Sequence, residues 1–196
     1  MKLNYQKIEG VYDNAIDRMP EYKQIFPDTA KGLSILDLGC YIGFYLLQAK
    51  KQDAGRCVGV EMVQAFHAEA VRLAKHFDLD IDYFNMDVMN WCTEEVFDVT
   101  LCLSLLHHLT IDKVNKLINY ISAHTRKRSV FIIIPPSTRS LWAIENSPTA
   151  GTPKVRLTPD YLYSKIQKPM TVSQSITMPE RFVVEFHHNN GKEKFR

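Results

Sequence analysis

The amino-terminal stretch, MKLNYQKIEGVYDNAIDRMP, contains no apolar run of the kind a secretory leader needs. Nor does any other segment approach the roughly 20 apolar residues required to span a bilayer. A cytoplasmic protein without a membrane partner is therefore expected. Cysteine is scarce: the four residues Cys40, Cys57, Cys92 and Cys102 are scattered, without the close pairs typical of zinc sites and without a reason to expect disulfides. They read as small buried hydrophobes or loop residues, and no metal site can be nominated from spacing. Charge of one sign is also lacking, since the net charge is only +2 and the pI is near 8.3. That is too mild a balance to imply a nucleic-acid partner. The local basic run Arg126, Lys127 and Arg128 reads as a solvated helix end, because cations suit helix C-termini.

What is present is an ordinary globular composition, 45% hydrophobic and 23% charged over 196 residues, without the low-hydrophobicity signature of disorder. A chain of this length fits one domain burying about two-thirds of the surface its unfolded form exposes. The expected organisation is a single domain over 1–196, with an N-terminal helical or lid segment over 1–32 and a core over 33–188. There is no internal repeat or low-complexity segment.

From Ser34 onward short apolar runs alternate with helical patterns, the pattern of βα units feeding a parallel sheet. Five strands are expected at Ser34–Leu38, Cys57–Val60, Ile81–Asn85, Val99–Leu103 and Val130–Ile134, the last stopped by Pro135 and Pro136. Helical spacing joins Val63, Phe66, Ala70, Leu73 and Phe77 in one helix and Ile111, Val114, Ile118 and Ile121 in another, with Thr110 as N-cap of the second. A long connection, Ser137 to Leu157, follows the fifth strand and suggests a substrate-facing lid together with the tyrosine-bearing N-terminus (Tyr5, Tyr12, Tyr22). After a short helix at Tyr161–Lys168, two β-like runs, Thr171–Thr177 and Arg181–His187, are separated by only Met178, Pro179 and Glu180. They predict an antiparallel hairpin. The fold class is thus α/β, a Rossmann-like, seven-stranded, mostly parallel sheet with a C-terminal antiparallel hairpin and helices on both faces.

The chemistry is concentrated in Ser34-Ile-Leu-Asp-Leu-Gly-Cys-Tyr-Ile-Gly-Phe, a strand running into a glycine-containing turn and then a helix. This order is a nucleotide-binding geometry, in which Gly39 permits the tight turn and Gly43 a close approach. Glu61, about twenty residues on at a second strand end, is placed to hydrogen-bond ribose hydroxyls. A dinucleotide fits badly, because Tyr41 stands where backbone must approach a pyrophosphate. Asp37 would also repel phosphate, whereas it would attract a ligand carrying an amino group.

Ile35-Leu-Asp-Leu-Gly-Cys-x-x-Gly followed by Val58-Gly-Val-Glu61 resembles the class I S-adenosylmethionine-dependent methyltransferases, over roughly Leu33 to His188. The resemblance implies S-adenosylmethionine as cofactor. It places the methionine moiety beside the turn formed by Gly39, Cys40, Tyr41, Gly43 and Phe44, with Asp37 close by, and the ribose on Glu61 beside Met62. Asp87 and Val88, in Asn85-Met-Asp-Val, match the segment whose acid accepts from the adenine amine. Phe97-Asp-Val-Thr-Leu-Cys-Leu-Ser-Leu-Leu-His-His-Leu matches the fourth-strand motif, so that Leu103 and Ser104 border the cofactor and His107 or His108 faces the substrate as candidate catalytic residues. Tyr41 and Ile42 depart from the glycine and small residue that many members carry.

Amino-group methyltransferases place Asn/Asp-Pro-Pro-aromatic after the fourth strand. Here Ser104-Leu-Leu-His occupies that position, which disfavours adenine or glutamine nitrogen as acceptor. The expected reaction is methyl transfer to an oxygen, or less readily a nitrogen, of a small-molecule, glycan or phosphate acceptor, with Arg139 and Arg156 as natural helpers for an anionic one. The alternatives are an RNA or other nucleic-acid methyltransferase, using Arg126, Lys127, Arg128 and Arg139 on phosphates, and a non-catalytic S-adenosylmethionine-binding subunit.

Overall fold

A computed structural model describes residues 6–133, 157–177 and 180–188. Its strands are β1 (Ile35–Leu38), β2 (Cys57–Val60), β3 (Asp82–Phe84), β4 (Phe97–Leu103), β5 (Thr125–Ile133), β6 (Met170–Gln174) and β7 (Phe182–His187). The α-helices are α1 (Met19–Ile25), α2 (Phe44–Lys50), α3 (Gln64–His76), α4 (Ile111–His124) and α5 (Pro159–Ile166), and a 3-10 turn spans Leu106–His108. Seven strands form one sheet in the order β3-β2-β1-β4-β5-β7-β6. Pairing is parallel for β1 with β2, β2 with β3 and β4 with β5, and antiparallel for β5 with β7 and β6 with β7. This is the expected Rossmann-like α/β architecture with its antiparallel end. The chain divides into two compact units, Met1–Cys92 and Thr93–Arg196.

In the first unit every residue of β1 and β2 is buried, as befits parallel strands whose faces are both covered. β3 is an edge strand of three residues, shorter than expected, and only Tyr83 of the three is shielded from solvent. Helix α3 turns Ala70, Leu73 and Ala74 inward. Its N-cap is Val63, outside the helix in extended conformation. The N-terminal segment is tied down by packing and by polar pairs. Tyr22 is fully buried against Phe26, with ring centroids 5.1 Å apart, and the Tyr12 hydroxyl donates to Glu69 Oε1 at 2.6 Å. Glu21 lies 3.5 Å from Arg18 and accepts a hydrogen bond from the Tyr45 hydroxyl. A buried carboxylate needs such partners to offset its desolvation.

In the second unit β4 is buried from Phe97 to Cys102, and α4 covers the sheet through Val114, Leu117, Ile118 and Ile121. Thr110 is its N-cap, in extended conformation but without a side-chain hydrogen bond. Thr158 caps α5, its hydroxyl accepting from the Tyr161 amide at 3.1 Å, with Pro159 entering the first turn. The reading of Arg126, Lys127 and Arg128 as a helix end is corrected. α4 stops at His124 and runs straight into β5, which begins at Thr125 rather than Val130. The cations are accepted in a strand because neighbouring strands supply acids. Arg126 and Lys127 each lie 3.5 Å from Asp98 on β4, and Arg128 lies 3.2 Å from Glu185 on β7.

Pro135, Pro136, most of the Ser137–Leu157 connection with Arg139 and Arg156, and the hairpin residues Met178 and Pro179 lie outside the described residues. Among the described residues no helix is long and apolar enough to cross a membrane.

Candidate active site

Strand β1 ends on Leu38, and the chain then turns sharply. Gly39 has φ +79° and Gly43 φ +79°, both in the left-handed region that favours glycine. The amides of Gly39 and Cys40 both donate to the Val60 carbonyl, at 2.8 and 3.1 Å, and the Gly43 amide donates to Cys40 at 2.9 Å. Between these glycines Tyr41 also lies in the left-handed region, at φ +55°, a conformation that costs a non-glycine residue about 1 kcal/mol or more. Two contacts hold it there. Its amide donates to Glu61 Oε2 at 3.0 Å, and its ring packs on Phe66 with centroids 4.2 Å apart. Tyr41 thus keeps a left-handed backbone at the position where the resemblance has glycine. Cys40 and Phe44 are buried beneath the turn.

Glu61 faces the same turn from the end of β2. Its Oε1 accepts from the Val63 amide at 2.8 Å, closing the entry to α3, while Oε2 takes the Tyr41 amide. Helix capping and ligand binding are compatible, because a carboxylate has about four lone-pair sites. Burial raises the Glu61 carboxyl above its ordinary range, and the amides of Val63 and Tyr41 oppose the rise. Met62, beside it, is 65% exposed. Asn85 donates to the carbonyls of Glu61 and Met62, at 2.9 and 3.2 Å, joining the ends of β2 and β3. Asp87 follows in a turn, its Oδ1 accepting from the Met89 amide at 2.9 Å, and Val88 is half-buried next to it.

Asp37 is the most unusual group of this unit. It is 2% exposed, and its Oδ2 has no hydrogen-bond partner. Burial, and then the negative charge of Glu61, push its carboxyl up to about 8. A buried acceptor with no donor is costly. A cationic ammonium supplied by a ligand would remove that cost, so the site fits an amino-acid-bearing cofactor on the chemistry of its own residues.

Two residues that escape sequence reasoning complete this region. Asp37 is in register with Gly59, and Gly59 with Tyr83, so one row crosses β1, β2 and β3. A Cβ on Gly59 would meet the Tyr83 ring at 2.6 Å and Cys40 Sγ at 2.8 Å, and one on Gly43 would meet the Tyr83 hydroxyl at 2.1 Å. Both glycines therefore accommodate one tyrosine, whose hydroxyl is buried without a hydrogen-bond partner. Gly43→Ala is expected to destabilise the cofactor-free protein by about 1–3 kcal/mol through overpacking and backbone strain. Tyr83→Phe, which removes a buried unsatisfied hydroxyl, is expected to be neutral or stabilising and to recover part of that loss in the double variant. Thermal unfolding of the three variants checks this. Simple additivity of the two changes would contradict the assigned clash.

In the second unit β4 ends at Leu103, and Ser104 adopts φ +59°. Its amide donates to Ile132 at 2.9 Å, while its hydroxyl accepts from Arg181 Nη1 at 2.5 Å. His107 and His108 follow on the 3-10 turn with ring centroids 4.0 Å apart, His107 half-buried and His108 exposed. Burial, then His108, then the Arg181 charge lower the His107 imidazole to about 4. His108 is lowered by burial and by Arg181. Both rings are therefore neutral near pH 7. Arg181, just before β7, is the functional candidate missed from sequence, where it appeared only as the first residue of a predicted strand. Among the described residues no cluster of three His, Cys, Asp or Glu side chains could hold a metal ion.

The Rossmann-like sheet thus carries an acidic strand end at Asp37, a glycine turn over Gly39–Gly43 and a second acid at Glu61. Residues 35–128 match the family described as "Methyltransferase domain". Solved structures agree in fold. Magnesium protoporphyrin IX methyltransferase (ChlM) from Synechocystis PCC 6803, with bound SAH, has a TM-score of 0.66 at 14% identity, covering 93% of this chain and 89% of that one. The N-methyltransferase NodS from Bradyrhizobium japonicum WM9, in complex with S-adenosyl-l-homocysteine, has a TM-score of 0.66 at 15% identity, covering 89% and 88%. WbdD has a TM-score of 0.70 at 20% identity, with 94% of this chain covered but only 45% of that one. No curated protein sequence matches the chain. The matched segment is just under half of the chain, and the likeness to these solved structures is one of fold.

Proposed function

We propose that this protein is an S-adenosylmethionine-dependent methyltransferase that methylates an oxygen, or less readily a nitrogen, of a small-molecule, glycan or phosphate acceptor presented at the end of β4. The cofactor, when bound, supplies a methyl group already activated by a sulfonium, so the protein's task is alignment and exclusion of water. Asp37 would accept from the cofactor's ammonium group, and Glu61 would use its remaining lone pairs on the ribose hydroxyls. Asp87 and Val88 would border the adenine, with the exposed Met62 side chain available to pack on it. Leu103 and Ser104 would border the methyl-bearing end, and His107 and His108 would meet the acceptor. The observation that carries this reading is the buried Asp37 oxygen without a donor, at the strand end preceding the Gly39–Gly43 turn.

The nucleic-acid alternative loses support from the placement of its cations, because Arg126 and Lys127 face Asp98 and Arg128 faces Glu185. Incubation of the protein and deuteromethyl-labelled cofactor with a metabolite and glycan-precursor extract is expected to yield a product carrying the label, detected by mass spectrometry. Cofactor binding without labelled product in any fraction would favour the non-catalytic subunit. Product formed only on added RNA, with steep salt dependence, would favour the nucleic-acid enzyme.

A further inference from the structure

We infer that the acceptor of this enzyme presents an oxyanion, a carboxylate or phosphate, held by Arg181 together with Ser104 and His107. The inference rests on the methyltransferase reading above and names the chemical class of its substrate. Ser104 and Arg181 are 77 residues apart in sequence, yet Nη1 lies 2.5 Å from Oγ. Arg181 is anchored through its own carbonyl, which accepts from the Ser175 amide at 2.9 Å, and its side chain is only 16% exposed. Glu180 lies 3.8 Å from its Nε. A largely desolvated guanidinium is thus fixed at the end of β4, in the fork geometry that matches carboxylate and phosphate.

The neighbouring groups suit the same ligand. Ser104 is held in a left-handed conformation that a non-glycine residue keeps only where its surroundings enforce it, and here the Ile132 carbonyl and Arg181 do so. Each uncharged imidazole of the His107–His108 pair offers one N–H donor. The Arg181 charge contributes to keeping both uncharged. Guanidinium, hydroxyl and imidazole therefore bring donors to one place. An ionised acceptor oxygen attacks with its own lone pair: the new C–O bond forms as the S–CH3 bond breaks, the bonding pair stays on sulfur, and no proton has to be removed. That explains why a histidine this weakly basic can stand at the acceptor position.

The test uses histidine-labelled full-length protein without cofactor, titrated at constant ionic strength with inorganic phosphate and, separately, with acetate. The His107 imidazole resonance, assigned with His107→Gln, is expected to shift saturably with at least one of the two, the stronger response identifying phosphate or carboxylate as the natural group. Arg181→Lys should weaken the response a few-fold and Arg181→Gln by about tenfold or more, with S-adenosylmethionine binding retained in calorimetry. Absence of a saturable shift in the wild-type protein, or an equal response in a folded Arg181→Gln variant, overturns the inference. Should Arg181→Gln fail to fold, Arg181→Lys decides on the same terms. Loss of cofactor binding by the wild-type protein would instead overturn the methyltransferase reading, which the anion titration does not use.

Discussion

Asp37→Ala and Glu61→Ala are each expected to weaken S-adenosylmethionine binding by about tenfold or more, since each removes a charged acceptor worth ~1.5–3 kcal/mol per hydrogen bond. The two variants should differ in their dependence on pH. The Asp37 carboxyl is pushed up to about 8 by burial and by Glu61, so near pH 7 the cofactor-free protein holds it largely protonated. An incoming ammonium group favours the ionised form. Binding at pH 7 should therefore release about one proton, seen as a dependence of the calorimetric enthalpy on buffer ionisation. Asp37→Asn should abolish that release. The consequence for stability has a definite sign. A carboxyl whose folded value is raised favours the folded state below its unfolded value, and that contribution is lost as pH rises from about 4 through about 8. Asp37→Asn should accordingly flatten the fall in cofactor-free stability over that window. Unchanged affinity in both alanine variants would reject the cofactor assignment.

Legibility followed the range over which each feature is encoded. β1 and β2 were readable because a fully buried parallel strand is a short continuous apolar run, and Asp37 and Glu61 stand out as the acids within or directly after those runs. The first half of β5 was not readable. Arg126, Lys127 and Arg128 look like a solvated helix end until Asp98 and Glu185 on the adjoining strands are known. Tyr83 was hidden for a similar reason, because its place over Gly59 and against Gly43 depends on strand register rather than on neighbours in sequence. Periodicity assigned Arg181 to a strand, and only the fold brings it onto Ser104. Resemblance identified Tyr41 as a departure from glycine. The structure adds that the left-handed backbone persists, held by Glu61 and Phe66.

Replacement of His107 by alanine is expected to lower turnover or acceptor affinity more than cofactor affinity, and the balance between the first two identifies what the imidazole does. If it removes a proton from a hydroxyl acceptor, its loss should cost the ~10²–10⁴-fold typical of general-base catalysis. If it donates an N–H to an oxyanion, as inferred above, KM should rise about tenfold while kcat changes far less, because a charge-assisted hydrogen bond in the ground state is lost. The pH profile separates the cases again. The free imidazole is lowered to about 4 by burial, His108 and Arg181, so kcat/KM for a base mechanism should fall only as pH approaches 4, well below the ordinary histidine range. A bound anion opposes the Arg181 charge and stabilises the imidazolium, so in the oxyanion case protonation near or below neutral pH should preserve acceptor binding rather than abolish it. Stability carries the matching sign: a histidine lowered in the folded state contributes stability above pH ~6.5 that is lost as pH falls toward about 4, and His107→Ala should make the acid limb of unfolding shallower. Full activity in His107→Ala, in His108→Ala and in the double variant would remove the pair from the reaction altogether.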